Sequence, residues 1–263
     1  VLRVMERNNI PVSFIGGVSA GSIVAAAYAS GASLDEIARC AMAMRFTDVA
    51  RWSLSKMGLA GSERMDAFLH RLLKHTQFEE MRIPLGIVAT NVLDGQSVCF
   101  RGHGSVKLPI RASCSYPGLF QPVRHEGKLL VDGAMSMEVP SRLLREMGAD
   151  RVLAVHLPVP AGMEIEPSNA FQVVNRCFQI MQGRTEHSWR QYSDLVLQPD
   201  VRGVGWDGFQ SAAQLMEAGE RAAELALPKI KAWLTPKIVV QATRGSAPAS
   251  ASRFPSGSSP AAA

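Results

Sequence analysis

Val12-Ser13-Phe14-Ile15-Gly16-Gly17-Val18-Ser19-Ala20-Gly21-Ser22, running on through Ile23-Val24-Ala25-Ala26-Ala27-Tyr28-Ala29-Ser30-Gly31, is the stretch that decides the fold. Val12 to Ile15 is a short apolar run that stops at a glycine pair, the pattern of a buried strand entering a tight turn. Ser19 to Ser30 is a run of small, Ala-rich residues, and Gly31 is placed to close it, so a helix follows the turn at once. The turn itself reads Gly17-Val18-Ser19-Ala20-Gly21, a G-x-S-x-G pattern. Three fixed positions arise by composition alone in about one chain in ten of this length, so the pattern gains its weight from its setting. Between a strand and a helix, the glycines allow a sharp turn that exposes the Ser19 hydroxyl. The helix start then aims free N–H groups, that of Ala20 first, at negative charge forming there. The plainer reading is a glycine-rich turn whose serine caps the helix.

Outward from this turn, the pattern alternates between strands and helices. Ser33-Leu34-Asp35-Glu36 opens a second helix with acidic residues in its first turn, and Ser62-Glu63-Arg64-Met65 opens another with Met65, Phe68, Leu69 and Leu72 as its apolar stripe. Pro84 to Thr90 reads as a buried strand, joined through Asp94-Gly95 to Ser97–Phe100 as a tight hairpin. A helical stretch carrying Arg111, Ala112 and Ser113 ends at Tyr116-Pro117-Gly118. Short strands are expected at Leu129–Val131, Arg151–Leu157 and Asp194–Leu197, with a helix around Arg142–Met147. Ala212 to Leu234 reads as a long amphipathic helix interrupted at Pro228. Alternation of this kind predicts an α/β domain with a mainly parallel sheet. From about Ala242 the composition turns to Ala, Ser, Pro and Gly, so one domain is expected over residues 1–241 and a disordered tail over 242–263.

Composition narrows the function classes. Of 263 residues, 47% are hydrophobic and 19% charged, which describes a folded globule. The formal net charge of +5 is mildly basic and unclustered, so a nucleic-acid partner is not expected. Cys40, Cys99, Cys114 and Cys177 are widely spaced without any C-x-x-C pair, which argues against a zinc site and demands no disulfide. No apolar run reaches ~18 residues, the length of a membrane-spanning helix. At the start, Leu2 and Met5 share one helical face while Arg3, Glu6 and Arg7 face water. A helix already under way at Val1 without an N-cap reads as the remainder of a longer one, and a valine read from an alternative start codon is the competing explanation. The expected location is the cytoplasm or the membrane periphery, and any export signal would lie upstream of Val1.

A serine nucleophile needs a base. Of the histidines beyond Asp132, His156 sits in the strand-like Val152–Leu157 run and His187 beside Trp189 in a helical stretch, and either is an ordinary position for a packed or surface imidazole. A Ser-His esterase using His156 stays open at this point. Asp132 is the stronger candidate, because it ends Leu129-Leu130-Val131 and precedes Gly133, which puts its carboxylate at a strand terminus. Burial would raise its pKa toward that of a useful base.

Several ordered blocks together resemble a family. Ile15–Ser22, Arg111-Ala112-Ser113-Cys114-Ser115-Tyr116-Pro117-Gly118-Leu119-Phe120-Gln121-Pro122-Val123 and Val131-Asp132-Gly133-Ala134 are similar to successive blocks of the bacterial patatin-like phospholipases. This group includes the esterase domain of neuropathy target esterase. Ser193–Asp200, Gly205-Trp206, Phe209 and Glu217-Ala218-Gly219 are similar to that subgroup as well. The resemblance implies a three-layer α/β/α fold and a Ser-Asp dyad, with Ser19 as nucleophile, Asp132 as base, and Gly17, Ala20 and Gly21 forming the elbow. It implies acyl esters of phospholipids or lysophospholipids as substrates, with no metal or cofactor.

Two departures qualify it. The family normally carries a glycine-rich oxyanion loop, on a strand, ahead of the helix that here begins at Val1. The expectation is therefore a sheet lacking its first strand and a weakly active or inactive chain, or a remnant serving as a binding or scaffold module. The second departure is Met137-Glu138 before Val139-Pro140, where relatives usually carry paired asparagines, so the usual hydrogen bonds around the Asp132 loop are in question. Separately, Met42, Met44, Phe46, Trp52, Leu54, Met57 and Leu59 are interspersed with Arg45, Arg51 and Lys56. That segment reads first as a lid packed on the core and second as a surface for peripheral membrane contact.

Overall fold

Helix α1 (Leu2–Arg7) leads through Asn8-Asn9, the latter at φ 52°, into strand β1 (Ile15–Gly17). The chain is seen in a computed structural model that describes residues 1–157, 166–204 and 208–234. β1 turns at Val18-Ser19 straight into helix α2 (Ala20–Ala29), which Gly31 closes at φ 90°. Helix α3 (Leu34–Ala43) starts from a reciprocal cap, Glu36 N–H to the Ser33 hydroxyl at 3.2 Å and Ser33 N–H to the Glu36 carboxylate at 2.8 Å. The short α4 (Phe46–Val49) precedes a hairpin of β2 (Arg51–Ser55) and β3 (Gly58–Gly61), and α5 (Glu63–Leu72) buries the expected stripe of Met65, Phe68, Leu69 and Leu72. Next come β4 (Leu85–Asn91), β5 (Ser97–Phe100), α6 (Lys107–Ser113), β6 (Val123–His125) and β7 (Lys128–Asp132). A single 3-10 turn (Gly133–Met135) follows, then α7 (Ser141–Glu146), β8 (Leu153–Val155), α8 (Ala170–Arg190), β9 (Leu195–Leu197) and α9 (Ala212–Ala232).

The main sheet has the order β1-β4-β7-β6, with β5 also paired to β4, and a separate pair joins β8 to β9. The α/β class holds, with parallel ladders at β1–β4 and β8–β9, where helices make the crossover. The remaining ladders of the main sheet are antiparallel, so that sheet is mixed. Tight turns decide this. Gly95 at φ 72° returns β5 against β4, and Glu126-Gly127 at φ 47° and 73° folds β6 onto β7. β1 is shorter and later than the apolar run at Val12 suggests. Pro84 C=O accepts from Ile15 N–H at 3.0 Å, but Pro84 offers no N–H and the Arg82 N–H is spent on Ala29 C=O at 2.8 Å, so the ladder ends there.

β4 is buried at every position because it has neighbours on both edges and helices on both faces. Leu85 and Ile87 point into the large cluster with the alanines of α2, the stripe of α5 and Ile110 of α6. Gly86 and Val88 point the other way, against Leu143 of α7. Helices on the two sides of one sheet give the three layers. A smaller cluster packs Val4 and Met5 of α1 against Leu197, Ala223, Ala226 and Ile230. That burial carries α9 unbroken through Pro228, where an interruption was expected. Asp194 joins the β8–β9 unit to α7 by accepting from Val152 N–H, Arg151 and Arg145 at 2.7, 3.0 and 2.6 Å. Gly205-Trp206 and residues 242–263, singled out above, lie outside the described residues.

Candidate active site

Ser19 sits at φ 52°, ψ −133°, a backbone conformation that a side chain rarely adopts and that costs on the order of 1–3 kcal/mol. The turn is forced by its neighbours. A Cβ on Gly17 would overlap the Gly21 carbonyl and the Ser22 backbone, so position 17 must be glycine for α2 to double back onto β1. Gly21 is different, since a Cβ there meets no atom within 4 Å. The strained residue is held by its amide, which donates to the buried Ser113 hydroxyl at 2.8 Å, and by its carbonyl, which accepts from the Ser22 hydroxyl at 2.6 Å. Its side chain remains half-exposed, and Ala20 is exposed at the first position of α2. The Ala20 N–H is thus among the donors that a helix leaves without an intrahelical partner.

Asp132 arrives from another strand. The ladders place Gly17 opposite Ile87 and Asp132 opposite Ala89, while β5 takes the other edge of β4, so β1 and β7 share one edge and their ends approach each other head-on. After Asp132 the chain passes that same edge at Gly133, which lies so close to the Val88 carbonyl that a Cβ would overlap it, with Val18 alongside. This head-on approach brings the carboxylate to Ser19. Asp132 is fully buried. Its N–H donates to Ser115 C=O at 2.9 Å, its carbonyl accepts from Thr90 at 2.9 Å, and Oδ1 accepts from Ala134 N–H at 2.9 Å.

The other carboxylate oxygen, Oδ2, is buried with no hydrogen-bond partner. Burial pushes the carboxyl up to about 6, while the adjacent Ser19 hydroxyl and the Ala134 N–H act in the opposite direction. The hydroxyl is therefore near enough to feel the charge without making a well-formed bond to it. Pairs of this kind often tighten only when substrate is bound. Two further groups face the same charge: burial, then Asp132, raises the Cys114 thiol well above its usual value and the Tyr116 phenol up to about 12. The Tyr116 hydroxyl donates to Asn175 at 2.6 Å, and its ring meets Phe178 edge-on at 6.0 Å, so α8 flanks the site.

His156 goes elsewhere. Its partners are Glu138 at 3.1 Å, Gln198 at 3.4 Å and the Trp189 ring, and Ser19 is not among them. His187 is exposed on α8. Ser113, Thr90 and α8 as a flank were not legible from the chain. Ser113 lies inside the Arg111–Val123 block, but nothing local marks it as the partner of an amide so distant in sequence. Among the described residues there is no group of three or more His, Cys, Asp or Glu side chains able to hold a metal, and no helix long and apolar enough to cross a membrane.

Comparison with known proteins bears on this geometry. The family model for patatin-like phospholipases matches residues 1–145, the span that holds both Ser19 and Asp132. The chain belongs to the patatin-like phospholipase family. It is 29% identical over 182 residues to an uncharacterized NTE family protein of Mycobacterium tuberculosis, covering 67% of this chain and 50% of that one. A second such protein of M. tuberculosis is 25% identical over 253 residues, 86% of this chain and 43% of the other. Mouse patatin-like phospholipase domain-containing protein 6 is 26% identical over 163 residues, 59% of this patatin-like chain and 12% of the mouse protein. The chain thus spans half or less of the length of these relatives.

Proposed function

We propose that this patatin-like chain is a serine acyl hydrolase acting on phospholipid or lysophospholipid esters through a Ser19–Asp132 dyad. The observation that carries the reading is a buried carboxylate with one unpartnered oxygen, lying beside a hydroxyl that is held on a strained turn at a helix start. Ser19 Oγ attacks the ester carbonyl carbon as its proton passes to Asp132 Oδ2, and the carbonyl oxygen gains negative charge facing the Ala20 N–H. Collapse breaks the bond to the alcohol, which leaves with the proton from Asp132. Water then gives a proton to Asp132 as it attacks the acyl-enzyme, and the acid departs as Ser19 recovers its hydrogen. A carboxylate is a weak base for an alcohol in water. Burial that lifts Asp132 to about 6 makes it a better one at neutral pH.

Peripheral lipid contact supports access to such a substrate. Trp52 is 65% exposed, and Met57 and Leu59 are exposed beside it on the β2–β3 hairpin. Arg51 and Lys56, on the same hairpin, are exposed and have no ion-pair partner among the described residues. The hairpin is not loose: Ala60 N–H donates to Leu119 C=O at 2.9 Å and Gln121 N–H to Ala60 C=O at 3.0 Å, next to the segment carrying Tyr116. Phe46 turns inward, with its ring 5.9 Å from Phe120 and 5.4 Å from Trp52. The segment thus combines an inner face packed on the core with an outer face fit for a lipid surface.

The deciding experiment is labelling with a fluorophosphonate probe, read by peptide mass spectrometry beside release of fatty acid from phosphatidylcholine and lysophosphatidylcholine. Adduct on Ser19, and loss of both signals in Ser19→Ala and Asp132→Asn, is the expected result. Absence of adduct and of fatty-acid release in the unmodified protein would instead leave a binding or scaffold module. Activity that survives Asp132→Asn but not His156→Ala would move the base to His156.

A further inference from the structure

The segment leaving Asp132 carries a second carboxylate that the dyad does not use. The Glu138 side chain is 16% exposed, and both of its oxygens are engaged. Oε1 lies 3.1 Å from His156 Nε2, and Oε2 accepts from the Trp189 indole N–H at 3.3 Å. His156 follows β8 directly. Its other ring nitrogen is 3.4 Å from the Gln198 amide just past β9, and its ring tilts against Trp189 with centroids 4.9 Å apart. Val139, the next residue, is buried with Ala154 and Trp189 in the same cluster. One side chain therefore fastens the loop that follows Asp132 to the β8–β9 pair and to helix α8.

The near part of that loop is held by different groups. The Ser136 hydroxyl meets Thr90 at 2.8 Å and Ser97 at 2.9 Å, and Met137 N–H donates to Gly133 C=O at 2.8 Å. These contacts fix the loop to β4 and β5, while Glu138, with Val139 packed beside it, meets α8. The far half of α8 matters for chemistry, because Asn175 and Phe178 hold Tyr116, which faces Asp132. A carboxylate this deep is stable only while its donors are present, so the contact is specific and not an incidental surface pair.

We infer that Glu138 is a positioning residue, docking α8 and the β8–β9 unit onto the Asp132 loop so that the Asp132 carboxylate stays dry and aligned with Ser19. The inference rests on the dyad reading only for its kinetic consequence. The groups that face Asp132 are Ser19 from the elbow and Cys114 and Tyr116 from the end of α6, and those that face Glu138 are His156 and Trp189. None of these is removed by changing position 138.

The test uses protein labelled with carboxyl-13C aspartate, with the Asp132 resonance assigned by its loss in Asp132→Asn. In Glu138→Ala the Asp132 titration midpoint should fall by at least about one unit as water enters. In Glu138→Gln, which still offers an acceptor to Trp189, the fall should be less than half as large. Hydrolysis by Glu138→Ala should lose about 10- to 100-fold in kcat with KM within about twofold, since alignment and not binding is disturbed. A folded Glu138→Ala protein whose Asp132 midpoint is unchanged would overturn the inference. If that variant does not fold, 3-benzothienylalanine incorporated at position 189 keeps the bicyclic ring and replaces only the N–H, by sulfur. A shifted midpoint there supports the clamp, and an unshifted one rejects it. The titration needs no turnover, so an inactive protein with a shifted midpoint would refute the hydrolase reading and leave the clamp standing.

Discussion

The Ser19 amide donates to the Ser113 hydroxyl at 2.8 Å, so the strained elbow is held from the last residue of α6 as well as by Ser22 of its own helix. The same short segment also holds the acid, because Ser115 C=O accepts from Asp132 N–H. One helix end thus sets the distance between nucleophile and base. Ser113→Ala leaves the Ser19 N–H without its acceptor. It should cost about 1–3 kcal/mol of stability in urea denaturation, and kcat should fall more than KM rises. Unchanged kinetics in a folded Ser113→Ala protein would show that the elbow holds itself.

The buried acid makes activity depend on pH in a defined direction. Asp132 works as a base only when ionised, and its carboxyl is raised to about 6. The rate at saturating substrate should therefore climb as pH rises through about 6 and level off above it. An acidic limb centred near pH 4, the ordinary carboxylate range, would mean that Asp132 is solvated during turnover.

The same burial opposes stability. In the folded state the Asp132 proton is held more tightly than at the ordinary value of 3.8, so the stabilisation from protonation is complete below about pH 4 and is lost as pH rises through about 6. A gap of about two units corresponds to at most about 3 kcal/mol at pH 8. Asp132→Asn should be inactive yet melt at a higher temperature than the unsubstituted protein at pH 8, with the difference vanishing near pH 4. A lower melting temperature at pH 8 would contradict the assigned penalty.

The glycines of the site should divide by steric need and not by motif. Gly17→Ala and Gly133→Ala each drive a Cβ into a backbone carbonyl and should destabilise by about 3 kcal/mol. Gly21→Ala meets open space in the first turn of α2 and should leave stability within about 1 kcal/mol of the unsubstituted value or raise it. Chemical denaturation of the three variants checks the order.

Charge reversal on the hairpin tests lipid contact. Arg51→Glu with Lys56→Glu should reduce co-sedimentation with phosphatidylserine-containing vesicles by more than about tenfold at low salt, since each cation near an anionic surface contributes about 1 kcal/mol. Hydrolysis of a short soluble ester should be unchanged. Equal vesicle binding by both proteins would exclude this surface.

Much of the fold could be read from the chain where local chemistry dominates. The G-x-S-x-G turn, the helix start at Ser33, the stripe of α5 and the Asp94-Gly95 hairpin all appear as expected, because turn residues and apolar periodicity act over a few residues. Helix α8 was glimpsed only around His187, and the mixed character of the sheet was not foreseen. The β6–β7 turn uses Glu126 at positive φ, a position where no local rule favours glutamate, so its hairpin gave no signal. Segment Met42–Leu59 was read as a lid or a lipid-facing surface. Met44 and Phe46 pack inward, whereas Met42, Trp52, Met57 and Leu59 are exposed.

Sequence alone determined the elbow at Ser19, the strand that ends in Asp132, and the α/β class, since each follows from residues that act on their immediate neighbours. Only the tertiary structure decided that the two meet along one edge of β4, that Ser113 holds the elbow, and that His156 serves Glu138 and not Ser19. Those pairings depend on strand register and on the close passage of the chain at Gly133. Both are set by packing between segments far apart in the chain, where no local pattern reaches.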